Sequence, residues 1–311
     1  MPAAVVTTPP TAIVTEGPVG LAPVPVPGRR FRWPLRPFDR AHPVRATFGE
    51  PRAILNGGDR GEWSPVGAVG RRVLHTGIDI TARDGTPVYA VQSGVAIRLG
   101  KGDGDAVEVG DFGYWHLDDP VPSGTRVTAF RTVLGTVQRG QGHVHLTRFQ
   151  GVLPVNPLTV GGITPYEDHR APLLLGLNAY APDGSSVPLT RVRGPVTLAV
   201  RAEDVQDTGR RTGVYGLSYR VAPPGDTATP MTEVVRFDTL PTLPEANDVY
   251  TTRSARHTFS TRFWYRLTIR PVGDGTWHAE RVAPGPWEVT VRAVDVRGNA
   301  TERTFPITVV R

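Results

Sequence analysis

Apolar and polar residues alternate in short runs along much of this chain. Val196, Leu198, Val200 and Ala202 are interleaved with Thr197, Ala199 and Arg201. Trp287, Val289, Val291 and Ala293 are interleaved with Glu288, Thr290 and Arg292, and Phe305, Ile307 and Val309 with Thr304, Pro306 and Thr308. A period of two puts one set on each face of an extended segment, so each run predicts a strand with one core face. Upstream, Val88 and Ala90, then Val95, Ile97 and Leu99, then Val107 and Val109 predict the strands of a mainly antiparallel core. Val144 and Leu146 predict a core-facing pair, which leaves His143 and His145 together on the opposite face. Turn signals punctuate the second half: Pro182-Asp183-Gly184, Pro223-Pro224-Gly225-Asp226, Gly273-Asp274-Gly275 and Arg297-Gly298-Asn299. About seven short strands with such turns predict an immunoglobulin-like β-sandwich over residues 168–311. Phe263-Trp264-Tyr265 is expected to pack in or beside it. The fold class is all-β.

Composition adds boundaries to this picture. The 35 Gly and 31 Pro suit many short strands and turns. Residues 1–30 are rich in Pro, Val and Thr and read as an extended arm or linker. A Gly-rich segment, Glu50 to Arg72, reads as a loop. There is no Cys, which excludes disulfides and thiolate metal sites. The net charge of +6 rests almost wholly on Arg, Lys101 being the one Lys, and it is scattered rather than gathered into a basic run. That argues against a nucleic-acid partner and is compatible with an anionic polymer. No stretch is apolar and long enough to span a membrane as a helix. Residues 1–10 show no basic region leading into an apolar one, so no signal peptide is visible in this chain.

Four of the eight His, with one Asp, fall within a short part of the sequence. His75-Thr76-Gly77-Ile78-Asp79 supplies a His and an Asp four positions apart, Tyr114-Trp115-His116-Leu117 a second His, and His143-Val144-His145 two more. A catalytic zinc needs three protein ligands and an open position for water, with nearby groups to move protons. A strand puts His143 and His145 on one face, so that one can bind metal while the other handles a proton. Gly77 is expected to let the backbone bend so that His75 and Asp79 converge. No H-E-x-x-H motif and no P-loop is present.

These motifs resemble the lysostaphin/LytM-type zinc endopeptidases, which cut the peptide part of bacterial peptidoglycan. The order HxxxD, Y-x-H-L, HxH is matched, and more than the ligands agree. Gly85-Thr86-Pro87-Val88-Tyr89-Ala90 with Ser93-Gly94-Val95, the turn Val121 to Val127, Arg45-Ala46-Thr47-Phe48-Gly49 and Asn156-Pro157-Leu158 resemble further family segments, over roughly residues 44–158. The resemblance implies an antiparallel β-sheet peptidase domain of the duplicated hybrid motif type over 31–160. It implies zinc held by His75, Asp79 and His145, with His116 and His143 as the acid/base or transition-state-stabilising pair. It also implies peptidoglycan peptides as substrate and a place outside the cell or in its envelope. The chain departs from the family pattern at Arg139-Gly140-Gln141-Gly142 before HxH, at Thr147-Arg148 after it, at Trp115, and in the short stretch between Val109 and Tyr114.

A second class of function stays open: a catalytically weak or inactive LytM-like module that binds cell wall or regulates another hydrolase. In the second half, Asp204, Asp207 and Asp295 read either as calcium ligands or as turn and cap residues. Trp264, Tyr265 and Trp277 read either as a sugar platform or as core aromatics.

Overall fold

A computed structural model of the chain describes residues 31–53, 72–102, 104–240, 249–251, 254–256, 261–267 and 275–311. The arm expected over 1–30 lies outside them, as does nearly all of the Gly-rich segment between Glu50 and Arg72. Strands occupy 49% of the residues and helix 3%, so the fold is all-β as expected. The described helical pieces include the single 3-10 turns Leu189–Arg191 and Ala279–Arg281.

The first half is built on one antiparallel sheet. Its central path runs Val44–Ala46, Ile78–Thr81, His143–Gln150, Phe112–Asp118, Val133–Val137, Pro87–Tyr89. The hairpin Ile97–Gly102 and Gly104–Val109 adds to Phe112–Asp118, and Leu153–Val155 adds to His143–Gln150. One face buries Ile78, Ile80, Val88, Ala90, Val107, Val109, Tyr114, Leu117, Leu134, Val144 and Leu146. Trp33 and Tyr166, which flank the sheet in sequence, join the same core. The alternation reading fails at one strand. Val95 and Ile97 are 48% and 55% exposed, and Ala96 between them is the buried residue. With a period of two, a slip of one position exchanges the faces. The backbone there is placed by Gly94 and Val95 pairing with Val127 and Arg126, which the apolar pattern does not encode.

The second half is two antiparallel sheets that share one core. In one, Leu173–Tyr180 and Pro195–Val205 pair, flanked by Ser186–Val187, Arg211–Thr212, Trp264–Arg266 and Trp277–His278. In the other the order is Thr232–Arg236, Gly216–Ala222, Gly285–Val294, Ala300–Val309. Val196, Leu198, Val200 and Ala202 meet Val289, Val291, Ala293, Phe305, Ile307 and Val309 between them, as the alternation predicts. Phe263 and Tyr265 are fully buried in this core. Tyr265 accepts a hydrogen bond at its hydroxyl from the Val214 N–H, so a sugar platform that includes Tyr265 is not what the fold builds.

The two halves interlock. Phe48 and Leu74 come from the first half in sequence but are buried in the core of the second, and Val296 from the second packs against the core of the first. Polar contacts follow the same seam. The Tyr250 hydroxyl donates to the Gly49 carbonyl at 3.0 Å, and the Asn156 side-chain amide donates to the Phe237 carbonyl at 2.9 Å. Glu50, with no exposed surface, accepts from the Thr47 N–H at 2.9 Å and from the Gly213 N–H at 3.1 Å. One carboxylate oxygen therefore holds backbone from both halves. Replacing it leaves the buried Gly213 N–H and the half-buried Thr47 N–H without that partner, which costs about 1–3 kcal/mol. We expect Glu50→Ala to lose about 2 kcal/mol in urea unfolding, with both halves still melting in one transition. A loss below a few tenths would contradict this role.

Candidate metal centre

The four His and the Asp singled out from the sequence come together on the outer face of the first sheet. The strand register does most of this. His145 lies opposite Asp79 on one side and opposite Trp115 on the other, and His143 lies opposite Thr81. Asp79, His145 and Trp115 therefore form a row across three neighbouring strands, with His143 two residues along from His145 on the same face. Val144 and Leu146 face inward with no exposed surface, as expected.

His75 reaches the row from the turn before Ile78–Thr81. The backbone bends at Gly77, as expected, and a second constraint keeps a side chain out. Its backbone passes so close to the next strand that a Cβ would sit 2.2 Å from the Leu146 carbonyl oxygen and 2.9 Å from His145 Nε2. Close approach, not a left-handed bend, excludes a side chain.

Three donor atoms converge. His75 Nε2 lies 2.9 Å from Asp79 Oδ1 and 2.8 Å from His145 Nδ1, and the latter lies 3.1 Å from Asp79 Oδ1. The far nitrogen of each ring is engaged elsewhere. His75 Nδ1 is 2.8 Å from the Thr47 carbonyl, which can only accept, so this nitrogen carries the proton. In the neutral ring the Nε2 lone pair then points at the convergence. His145 Nε2 is 2.9 Å from the Thr147 hydroxyl, which orients that ring so that Nδ1 faces inward. Two lone pairs and a carboxylate oxygen facing one another need a proton or a cation between them. Tetrahedral zinc bonds to His and carboxylate at about 2.0–2.2 Å, which sets neighbouring ligand atoms about 3.3 Å apart. The triad fits such an ion with an outward shift of a few tenths of an ångström per atom, and the donor set of two imidazoles and a carboxylate suits zinc.

The other two His face the same point. The His143 ring is buried, with Nδ1 donating to the Gln141 carbonyl at 2.7 Å and Nε2 lying 3.7 Å from Asp79 Oδ1. Burial is the main force on it and pushes its pKa down to about 4, so Nε2 is an acceptor. The His116 ring centroid is 4.7 Å from that of His143 and 6.3 Å from that of His145. His116 adopts φ 65, a left-handed conformation that few non-glycine residues take, at the point where Phe112–Asp118 leaves one partner strand for another.

Several residues around the His and Asp help to build this centre. Thr147 orients His145. The Gln141 carbonyl orients His143 and also accepts from Arg45 at 3.1 Å. Asp84 holds the Arg139-Gly140-Gln141-Gly142 turn in place, accepting from the Gly140 and Gly142 N–H groups at 2.7 and 2.9 Å. Those two bonds, the Gly140 bond first, hold the Asp84 pKa below its ordinary value. Trp115 stands edge-on to His145, ring centroids 5.2 Å apart, and forms a wall beside the metal position. Its ring lies over Gly113, where a Cβ would come within 2.4 Å of it. Thr147 was missed because a single Thr in a strand carries no signal. The i, i+2 relation of His145 and Thr147 was the available clue.

The acidic residues of the second half are regrouped. Asp207 is occupied by His169, accepting from its N–H at 3.1 Å and from Nδ1 at 2.8 Å. Asp204 and Asp295 do meet, and their third partner is Asp168, a residue the sequence reading passed over. Burial first, then the charges of the neighbouring carboxylates, raises Asp204 to about 8 and Asp168 to about 6.

Compared with known proteins, the chain matches no family model and no curated relative. No helix among the described residues is long and apolar enough to cross a membrane.

Removing the hydroxyl beside His145 should weaken metal binding without removing a ligand, typically by about 10–100-fold for such an outer partner. Thr147→Val is therefore expected to fold normally but to bind zinc more weakly by that factor in calorimetric titration. Unchanged zinc affinity would show that Thr147 does not orient the ring.

Proposed function

We propose that this protein is a zinc-dependent endopeptidase of the LytM/lysostaphin kind, cutting peptide bonds in bacterial peptidoglycan. The observation that carries this reading is the convergence of His75 Nε2, Asp79 Oδ1 and His145 Nδ1 within 3.1 Å of one another, with two more His facing the same point. A sheet that needed only stability would not gather four imidazoles and a carboxylate on one face. When bound, zinc would act as a Lewis acid toward water and the scissile carbonyl.

The chain's own residues account for the proton traffic. His143 Nε2 is held as an acceptor by the bond from Nδ1–H to the Gln141 carbonyl, so it can take the proton of the attacking water. His116, across from it, is placed to stabilise the oxyanion or to give a proton to the departing amine. In the balanced step a C–O bond forms to the carbonyl carbon, the C–N bond breaks, and the water's proton ends on the amine. Trp115 narrows the site on the His145 side. The scattered positive charge suits an anionic wall polymer, and such a substrate places the protein outside the cell or in its envelope.

The decisive assay is release of new amino termini from purified peptidoglycan, with and without a zinc chelator. Chelator-sensitive release is expected. His145→Ala should lose both zinc and activity. His116→Ala should keep zinc and fall at least about 100-fold in rate, the scale of general acid–base assistance. No release from several wall types by the zinc-loaded protein would favour the alternative, a LytM-like module that binds wall or regulates another hydrolase.

A further inference from the structure

The second half carries a cluster that the peptidase reading does not use. Asp168, Asp204 and Asp295 are 5%, 4% and 2% exposed, and each offers an oxygen within 4.8 Å of the others'. They come from three separate places. Asp168 lies in the connection between the halves, Asp204 near the end of Pro195–Val205, and Asp295 just after Gly285–Val294 at the hairpin turn. Three carboxylates withdrawn from water in one spot repel one another and lose their hydration, an arrangement rarely kept without a compensating charge.

Among the described residues, hydrogen bonding supplies only part of that compensation. Asp295 is served by its own turn, accepting from the Arg297 and Asn299 N–H groups at 2.8 Å each and from the Asn299 side chain at 2.7 Å. Asp168 Oδ1 accepts a bond from the Arg170 N–H at 3.2 Å, but Asp168 Oδ2 has no partner. Asp204 Oδ1 has none either. The orphaned atoms thus belong to two of the carboxylates that meet here, on side chains more than nine-tenths buried. The neighbouring ion pair does not reach in as a counter-charge, because His169 is turned to Asp207 and is largely exposed.

We propose that Asp168, Asp204 and Asp295 form a calcium site that fastens the two halves together. Calcium takes six to eight oxygen ligands at about 2.3–2.6 Å, so two oxygens on one ion lie no more than about 5 Å apart, and the cluster meets that limit. An all-carboxylate set gathered from a connection, a strand end and a turn suits a hard, geometrically tolerant cation and not zinc, which favours nitrogen or sulfur donors. The ion would tie the connecting segment to the sandwich at a seam that is already apolar on both sides. Tyr166, two residues before Asp168, is buried in the core of the first half together with Trp33, and Val296, next to Asp295, packs on that same core. The Asn299 amide already joins the segments, donating to the Asp168 carbonyl at 2.9 Å.

The test uses the full chain, stripped with chelator and titrated with calcium chloride by calorimetry and thermal unfolding. One calcium per chain and a rise in Tm are expected for the wild type. The same is expected for His145→Ala, because the site is independent of the peptidase reading and of the His-rich centre. Asp204→Asn should lose both responses. Should that variant not fold, Asp168→Ser and competition of calcium against terbium luminescence on the wild type decide the matter. Absence of calcium binding to the wild type, or a response that survives in Asp204→Asn and Asp168→Ser and vanishes in His145→Ala, would overturn the assignment.

Discussion

The architecture of the outer face depends on one close meeting: His75 Nε2, Asp79 Oδ1 and His145 Nδ1 are held within about one hydrogen-bond length of one another, where a proton or a cation must lie between them. Nothing in the energetics of a β-sheet favours such a meeting, and burial makes it worse. It persists because each ring is fixed from behind. The Thr47 carbonyl fixes His75, the Thr147 hydroxyl fixes His145, and backbone pairing puts Asp79 directly opposite His145. The rest of the first half can be understood as support for this meeting. Val144 and Leu146 anchor the central strand from below, Gly77 lets the neighbouring chain approach, and Asp84 braces the turn that delivers His143. A cation between them would satisfy all three atoms at once, and the proposed metal centre rests on that fit.

The second meeting, among Asp168, Asp204 and Asp295, has the same physics with different donors. Nitrogen-rich and oxygen-only clusters attract different metals, so one chain can hold two ions without confusing them. The two sites also sit on different kinds of scaffold. The His centre lies on strands whose register is fixed along their length, whereas the Asp cluster gathers a connection, a strand end and a turn. The first is suited to holding geometry for chemistry, the second to holding segments together.

Much of this could be read from the sequence, and the boundary between what could and could not is physical. The side-chain period of a strand is local, so the shared face of His143 and His145 and the core faces of Val196 to Ala202 and Phe305 to Val309 were visible as alternation. Val95 and Ile97 were misassigned because alternation gives two faces without saying which is buried; pairing with Arg126 and Val127 decides that, and pairing is long-range. The orienting roles of Thr147 and the Gln141 carbonyl were harder to read than their positions, because orienting groups act through geometry that no residue type announces. Asp168 was missed because its partners lie 36 and 127 positions further along, at Asp204 and Asp295. The bend at Gly77 was readable, but the close approach of the Leu146 carbonyl was not, since sequence shows that a glycine is present but not what presses against it.

Phe48 and Leu74 sit in the core of the second half although they flank the His-rich region in the chain. The protein is therefore not two modules joined by a cord. A fragment cut after the last strand of the first sheet would carry its full set of ligands and still present raw apolar surface where the sandwich had been. Moving the His-rich region into another protein would require a matching seat for those two side chains.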